Sequence, residues 1–355
     1  MFGELRNILK VACIYIATII GAGFASGREI IQFFTIYHSG GFYGIIMTGL
    51  LFAFIGYTIL NKVYTERIRN YEEYLFPSVG WVLGWIMELV VTLFMISVFC
   101  IMISGVSGIV SDKFNIPFHH SIMYVTCICM IFFLLGIRSI VSLSTFITPI
   151  LIVGILGIGV YIIIGKNTSA FNVIEGFSSA THNWFLSSIL YVSYNSIISV
   201  VVMCSLLPYL KTRKIASIGG IMGGAILCGI VIVLNYVLYI FYPYVTSHEL
   251  PVIGILDMYG ELAGKLYRII LLLAMFISAI TSGYGFIERI SSKVKLSRKI
   301  IIPVICCLTI PMSTVGFSKL ISIVYPIFGY LGMFMVFIIL IQGLSGIFKT
   351  RWKSM

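Results

Sequence analysis

The chain has 355 residues, of which 60% are hydrophobic and 10% charged, and its mean hydropathy is +1.09. A soluble domain carries about a quarter charged residues, so a water-exposed globule is excluded and an integral membrane protein is expected. The net charge of +11 reflects 23 basic against 12 acidic residues. Because the basic residues stand in short clusters between apolar runs, they mark loops and not a nucleic-acid surface.

A helical span needs about 20 mostly apolar residues. In chain order, ten segments qualify: roughly 8–37, 40–64, 79–110, 120–137, 140–164, 184–209, 215–242, 263–290, 299–315 and 320–347. The charged start, with Glu4, Arg6 and Lys10, runs straight into the first span without an A-x-A-like site, so no cleavable signal peptide is expected. The longest loop, about 243–262, leaves no room for a soluble domain. The cysteines, Cys13, Cys100, Cys127, Cys129, Cys204, Cys228, Cys306 and Cys307, all fall inside apolar runs. They read as small buried hydrophobes, neither a disulfide frame nor a metal site.

Charge sets the orientation. With the N-terminus in the cytoplasm, the inner segments hold Arg6, Lys10, Lys62, Arg67, Arg69, Arg138, Lys211, Arg213, Lys214, Arg289, Lys293, Lys295, Arg298, Lys299, Lys349, Arg351 and Lys353. The outer side holds only Lys113, Lys166, Lys265, Arg268 and Lys319, and Arg28 lies within the first span. That split satisfies the positive-inside rule and puts both termini in the cytoplasm. Ten spans divide into two five-helix halves, about 8–164 and 184–347, of one transmembrane domain covering 1–355. Five is odd, so the second half is inverted relative to the first. In such architectures the site lies near the midplane, where the first helix of each half is broken.

The first span contains Gly21-Ala22-Gly23-Phe24-Ala25-Ser26-Gly27-Arg28-Glu29. Each glycine costs a helix about 1 kcal/mol relative to alanine. Gly21 follows Ile8 by about 20 Å of helix, which is near mid-bilayer. An unwound stretch there must line a protein-enclosed cavity. Its free N–H groups would face an anion, a solute carboxylate being the natural candidate, and its free carbonyls a cation. Gly23-x-x-x-Gly27 also fits close helix packing; the charged pair Arg28-Glu29 favours a broken functional helix. The sixth span reads Tyr191-Val192-Ser193-Tyr194-Asn195-Ser196, either an unwound turn or an interhelical hydrogen-bond patch. In the eighth, Thr281 and Ser282 offer adjacent hydroxyls to a hard cation such as sodium. The same hydroxyls can instead bond their own helix.

At these residues the chain resembles the amino-acid–polyamine–organocation superfamily, with its LeuT-like fold. The Gly21–Glu29 motif is similar to the start of the YkvI-like bacterial membrane proteins. The resemblance implies a multi-pass plasma-membrane protein with helices 1 and 6 discontinuous. It implies a sodium site from the carbonyls of Ala17 and Ile20 with Ser278, Thr281 and Ser282. It places a substrate carboxylate along Gly21, Ala22, Gly23, Phe24, Ala25, Ser26 and Gly27, with Tyr194 and Asn195 as further contacts. Arg28 is similar in kind to an arginine of an extracellular gate, one position off, and Glu29 stands beside it as a gating or proton-coupling candidate. The sixth span lacks the glycine common at the family's second break.

Glu88 lies about 14 Å inside the third span. It either pairs with an arginine as an inner gate or serves as a proton-coupling site. Glu288 and Arg289 read as interfacial. The apolar Leu250–Leu256 stretch, flanked by Glu249 and Asp257, is either a re-entrant lid or a surface loop. His38, His119, His120, His182 and His248 show no ligand spacing. No zinc-hydrolase motif, facing Ser–His pair or paired intramembrane aspartates point to an enzyme. The reading is a secondary transporter of a small amino-acid-like or zwitterionic solute, coupled to sodium or protons, with no cofactor beyond a sodium ion. The alternative is a nutrient sensor of the same fold that binds solute without moving it.

Overall fold

A computed structural model describes residues 2–135, 137–165, 181–245, 248 and 250–352. Lys166, Glu249 and Lys353 lie outside the described residues. The first span is three pieces: α1 (Phe2–Ile19), α2 (Ala22–Ser26) and α3 (Arg28–Phe33). Then follow α4 (Ser39–Glu66), α5 (Tyr71–Phe114), α6 (Phe118–Leu135) and α7 (Ile137–Gly165). The remaining long helices are α8 (Trp184–Cys204), α9 (Arg213–Ile240), α12 (Glu261–Lys293), α13 (Arg298–Ser313) and α14 (Phe317–Trp352), with the short α10 (Tyr242–Val245) and α11 (Pro251–Tyr259) between α9 and α12. Among the described residues, seven helices are long and apolar enough to cross a membrane.

Several expectations change. The sixth span is not broken: α8 runs unbroken from Trp184 to Cys204. It contains neither glycine nor proline, and its polar residues serve their own helix. Asn195 Nδ2 donates to the Tyr191 carbonyl at 2.9 Å and Ser196 Oγ to that of Val192 at 2.7 Å. That i−4 bonding is the local alternative weighed by its chemistry, and the interruption comes only at Ser205–Leu210, around Pro208. Conversely, the third span carries a break the sequence reading missed. Gly80, with φ 78°, follows Pro77 and separates the first turns of α5 from its long apolar arm. A left-handed φ there is open to glycine at little cost. The apolar 250–256 stretch is not a surface loop: Pro251–Leu256 form the buried part of α11.

Close packing rests on small residues, since lipid offers no hydrophobic drive between helices. The Gly219-Gly220 and Gly223-Gly224 pairs of α9 present two adjacent rows. A Cβ on Gly219 or Gly223 would stand 2.9 Å from Val11 or 2.5 Å from Tyr15 of α1. One on Gly220 or Gly224 would strike the backbone of Gly56 or Ala53 of α4, the latter at 2.2 Å. α9 thus wedges between α1 and α4. On the other flank α12 lies along α5, where Gly283 meets Phe99, and Gly332 of α14 meets the backbone of Ser193 in α8.

Polar contacts sort the molecule into two ends. At one, Lys10 lies over Tyr209, Lys62 donates to Ser78, and Arg289 lies over Tyr71. At the other, Tyr37 bonds Thr181, and Tyr259 donates to the Ile162 carbonyl.

The α4–α9 seam makes a prediction. Gly224→Leu should lower the thermal unfolding midpoint and the folded yield, by about 1–3 kcal/mol or more for overpacking. Gly229→Leu, where no atom stands within 4 Å of an added Cβ, should leave both unchanged.

Candidate functional site at the break in the first helix

Two glycines frame the break. Gly21 is extended (φ −98°, ψ −171°) and sends its N–H to the Ile19 carbonyl at 2.8 Å. Gly27 is left-handed (φ 85°), and an added Cβ there would meet Leu238 and Val252 at about 3 Å, so both conformation and space require glycine. Between them Ser26 Oγ donates to the Gly23 carbonyl at 3.1 Å, and Tyr267 of α12 donates to the Ala25 carbonyl at 2.5 Å.

Glu29 occupies the centre. It is 2% exposed, and its side chain folds back over Gly23: an added Cβ on Gly23 would stand 2.1 Å from Glu29 Oε1. Tyr194 donates to Glu29 Oε2 at 2.6 Å, and the Tyr325 hydroxyl and Phe24 backbone N–H also reach the carboxylate. Among the described residues no basic side chain pairs with it. Aromatic rings enclose the group: Tyr194 stacks on Tyr325 at 4.6 Å, and Phe33 and Tyr191 pack on Tyr194 at 5.6 and 5.5 Å. The Tyr191 hydroxyl is fully buried without a hydrogen-bond partner among the described residues.

The carbonyls of Ala17 and Ile20 lose their helical donors here. In an uninterrupted helix they would accept from Gly21 and Phe24. Those N–H groups go instead to Ile19 and to Glu29. The break faces α12, since a Cβ on Gly21 would lie 4.0 Å from Ser278 Oγ and 3.9 Å from Met102 of α5. Ser282 is buried and bonds the Ser278 carbonyl at 2.5 Å. Thr281 is exposed, about 100° around α12 from Ser282. Asn195 points to its own helix, so only Tyr194 of that pair reaches the break.

The adjacent charges Arg28 and Glu29 do not pair. Arg28 Nη1 donates to the His248 carbonyl at 3.1 Å, towards α11, while Glu29 turns inward. Glu88 does pair. It is 2% exposed and bonds Arg289 and, at 3.1 Å, Lys293, both on α12. Arg289, read as interfacial, is instead largely buried in this pair, and Glu288 turns out to Arg298 at 2.9 Å. Sequence reasoning missed Tyr325 and Tyr267. The only signal for either was a tyrosine inside an apolar span, in a chain with 21 tyrosines.

No family model matches the chain. It is 24% identical over 327 residues to the uncharacterized membrane protein YkvI of Bacillus subtilis (strain 168), covering 91% of this chain and 92% of that one. It is 24% identical over 348 residues to the uncharacterized protein YyaD of the same organism, covering 98% and 99%. The chain is a homologue of YkvI and YyaD. Among solved structures, a manganese transporter of Eremococcus coleocola superposes with a TM-score of 0.56 at 15% identity, over 88% of this chain and 70% of that one. The inward-facing conformation of Mhp1 gives 0.54 at 13%, over 92% and 73%. A Na+-coupled sialic acid symporter in a substrate-bound outward-open state gives 0.55 at 13%, over 86% and 72%. These are LeuT-fold transporters, and this chain has their fold.

The Glu88 cluster is testable apart from the break. Removing one partner of a buried ion pair leaves an uncompensated charge, at a cost of about 3–5 kcal/mol. Glu88→Leu should therefore depress the unfolding midpoint strongly, and adding Arg289→Met should recover most of the loss in the same thermal measurement.

Proposed function

We propose that this protein is a secondary active transporter that carries a small amino-acid-like or zwitterionic solute across a bacterial plasma membrane. Alternating access works around the break between Gly21 and Gly27. The observation that carries this reading is the break itself: buried backbone, stripped of its helical partners, beside α12 of a fold shared with secondary transporters. Broken helices near mid-membrane are where such proteins hold solute and coupling ion.

In this reading α1–α3 count as one span. With α4–α7, and then α8, α9, α12, α13 and α14, they make ten spans. The halves, about 8–164 and 184–347, have inverted topology, and the basic end is cytoplasmic by the positive-inside rule. Sodium is the coupling ion. The freed carbonyls of Ala17 and Ile20 supply two oxygens, and Ser278, Thr281 and Ser282 close the shell when α12 and the break approach. Oxygen-only ligation suits a hard cation. α11 covers the outer mouth, with Arg28 against its approach segment.

The test is uptake by proteoliposomes holding the full chain. A solute found by its thermal stabilisation of the purified protein should accumulate under an inward sodium gradient. Thr281→Ala with Ser282→Ala should abolish the sodium-dependent part while folded yield stays the same. Sodium dependence that survives the double change would defeat the sodium assignment. A solute that binds but never accumulates would defeat transport and favour a sensor.

A further inference from the structure

The centre of the break already holds a carboxyl group of the protein's own, that of Glu29. Free N–H groups in an unwound membrane helix are suited to a solute carboxylate, but here the Phe24 N–H is engaged by Glu29, whose carboxylate fills the space over Gly23. A second carboxylate brought to the same place would set like against like in a low-dielectric interior, which disfavours it strongly. We propose that Glu29 is the protein's own anion at this site and that the solute docks on it through an ammonium group, beside the stacked rings of Tyr194 and Tyr325. This rests on the transporter reading for its place in the fold, and deepens it by reversing which end of the solute faces the break.

Three observations support it. First, an intramembrane carboxylate needs a counter-charge, yet among the described residues no basic side chain supplies one to Glu29, whereas Glu88 has two. Second, the walls are aromatic. Tyr194, Tyr325 and Phe33 gather around the carboxylate, and aromatic rings attract an organic cation through their quadrupoles, most strongly when water is excluded. Third, the Tyr191 hydroxyl lies beside Tyr194, fully buried and unpartnered among the described residues, as a spare polar contact. The same walls disfavour a bare metal ion, which requires several oxygen or nitrogen ligands. No group of three or more His, Cys, Asp or Glu gathers among the described residues.

Gly23 gives the arrangement its sequence requirement. Only a residue without a side chain leaves room for the folded-back carboxylate. Docking needs the carboxylate to swing from Gly23 towards the solute. Once there, the ammonium takes the place of the Phe24 N–H, while the Tyr194 hydroxyl keeps donating to Oε2 and holds the carboxylate towards the solute.

The experiment uses purified full-length protein in nanodiscs and isothermal titration with three matched arms. One arm holds amines without a carboxylate: ethanolamine, putrescine, choline and tetramethylammonium. The second holds zwitterions: glycine, alanine and glycine betaine. The third holds acids without an amine: acetate, lactate and succinate. Binding is expected in the first two arms and not in the third. Glu29→Gln should weaken binding by about 30-fold or more, as for a buried charge losing its partner. Glu29→Asp, which keeps the charge, should retain part of the affinity, and Tyr194→Phe should cost about five- to tenfold. Acids that bind as tightly as amines would overturn the proposal. So would an amine arm without any binding, or a folded Glu29→Gln protein of unchanged affinity. If Glu29→Gln fails to fold, the three wild-type arms and the Asp variant still decide. Uptake separates the two readings: amines that bind but do not accumulate defeat transport alone, and accumulation of amine-free acids defeats the ammonium assignment alone.

Discussion

A peptide group in hydrocarbon has no water to bond, so a membrane helix can be interrupted only where protein receives the released groups. That constraint governs the first forty residues. The Gly21 N–H turns back to Ile19, the Phe24 N–H is taken by Glu29, the Gly23 carbonyl by Ser26, and the Ala25 carbonyl by Tyr267. The donors and acceptors come from the break itself and from α12. The carboxylate that completes the set is in turn held by Tyr194 of α8. The interruption is therefore a property of the assembled bundle as much as of its glycines.

This explains which parts could be read in advance. The break in the first span was legible because Gly21, Gly23 and Gly27, which alone fit close packing equally well, stand next to the charged pair Arg28-Glu29. The expected break in α8 was not there, because Ser193, Asn195 and Ser196 are ambiguous in sequence. Short polar side chains can replace a lost backbone bond or reinforce an intact one, and here Asn195 and Ser196 do the second. Gly80 was passed over because it sits at a span edge, where a glycine carries little information. The partners of Glu29 and Glu88 were beyond reach for a different reason. Tyr325 is about 300 residues from Glu29, and Arg289 is 201 from Glu88; hydrophobic periodicity fixes a helix face but not which distant helix it meets.

The two buried carboxylates show two solutions to one cost. Glu88 is neutralised by Arg289 and Lys293 and ties α5 to α12, helices that already pack along each other. Its chemistry is satisfied, and it holds structure together. Among the described residues, Glu29 has only phenol and peptide donors. A charge so placed is stabilised in part, which leaves it receptive to a cation. Burial alone did not distinguish the pair, since both are 2% exposed; their neighbours did.

The two glycine frames also have a mechanical meaning. α1 is clamped through Val11 and Tyr15 to the glycine rows of α9 and to the Phe52 carbonyl of α4. α2, a single turn, is fastened to α12 by Tyr267 and bounded by Gly21 on one side and Gly27 on the other. The first span is thus not one lever but two rods joined through a pivoted link. A change of angle between α1 and α3 has two glycine torsions, at Gly21 and Gly27, in which to be taken up.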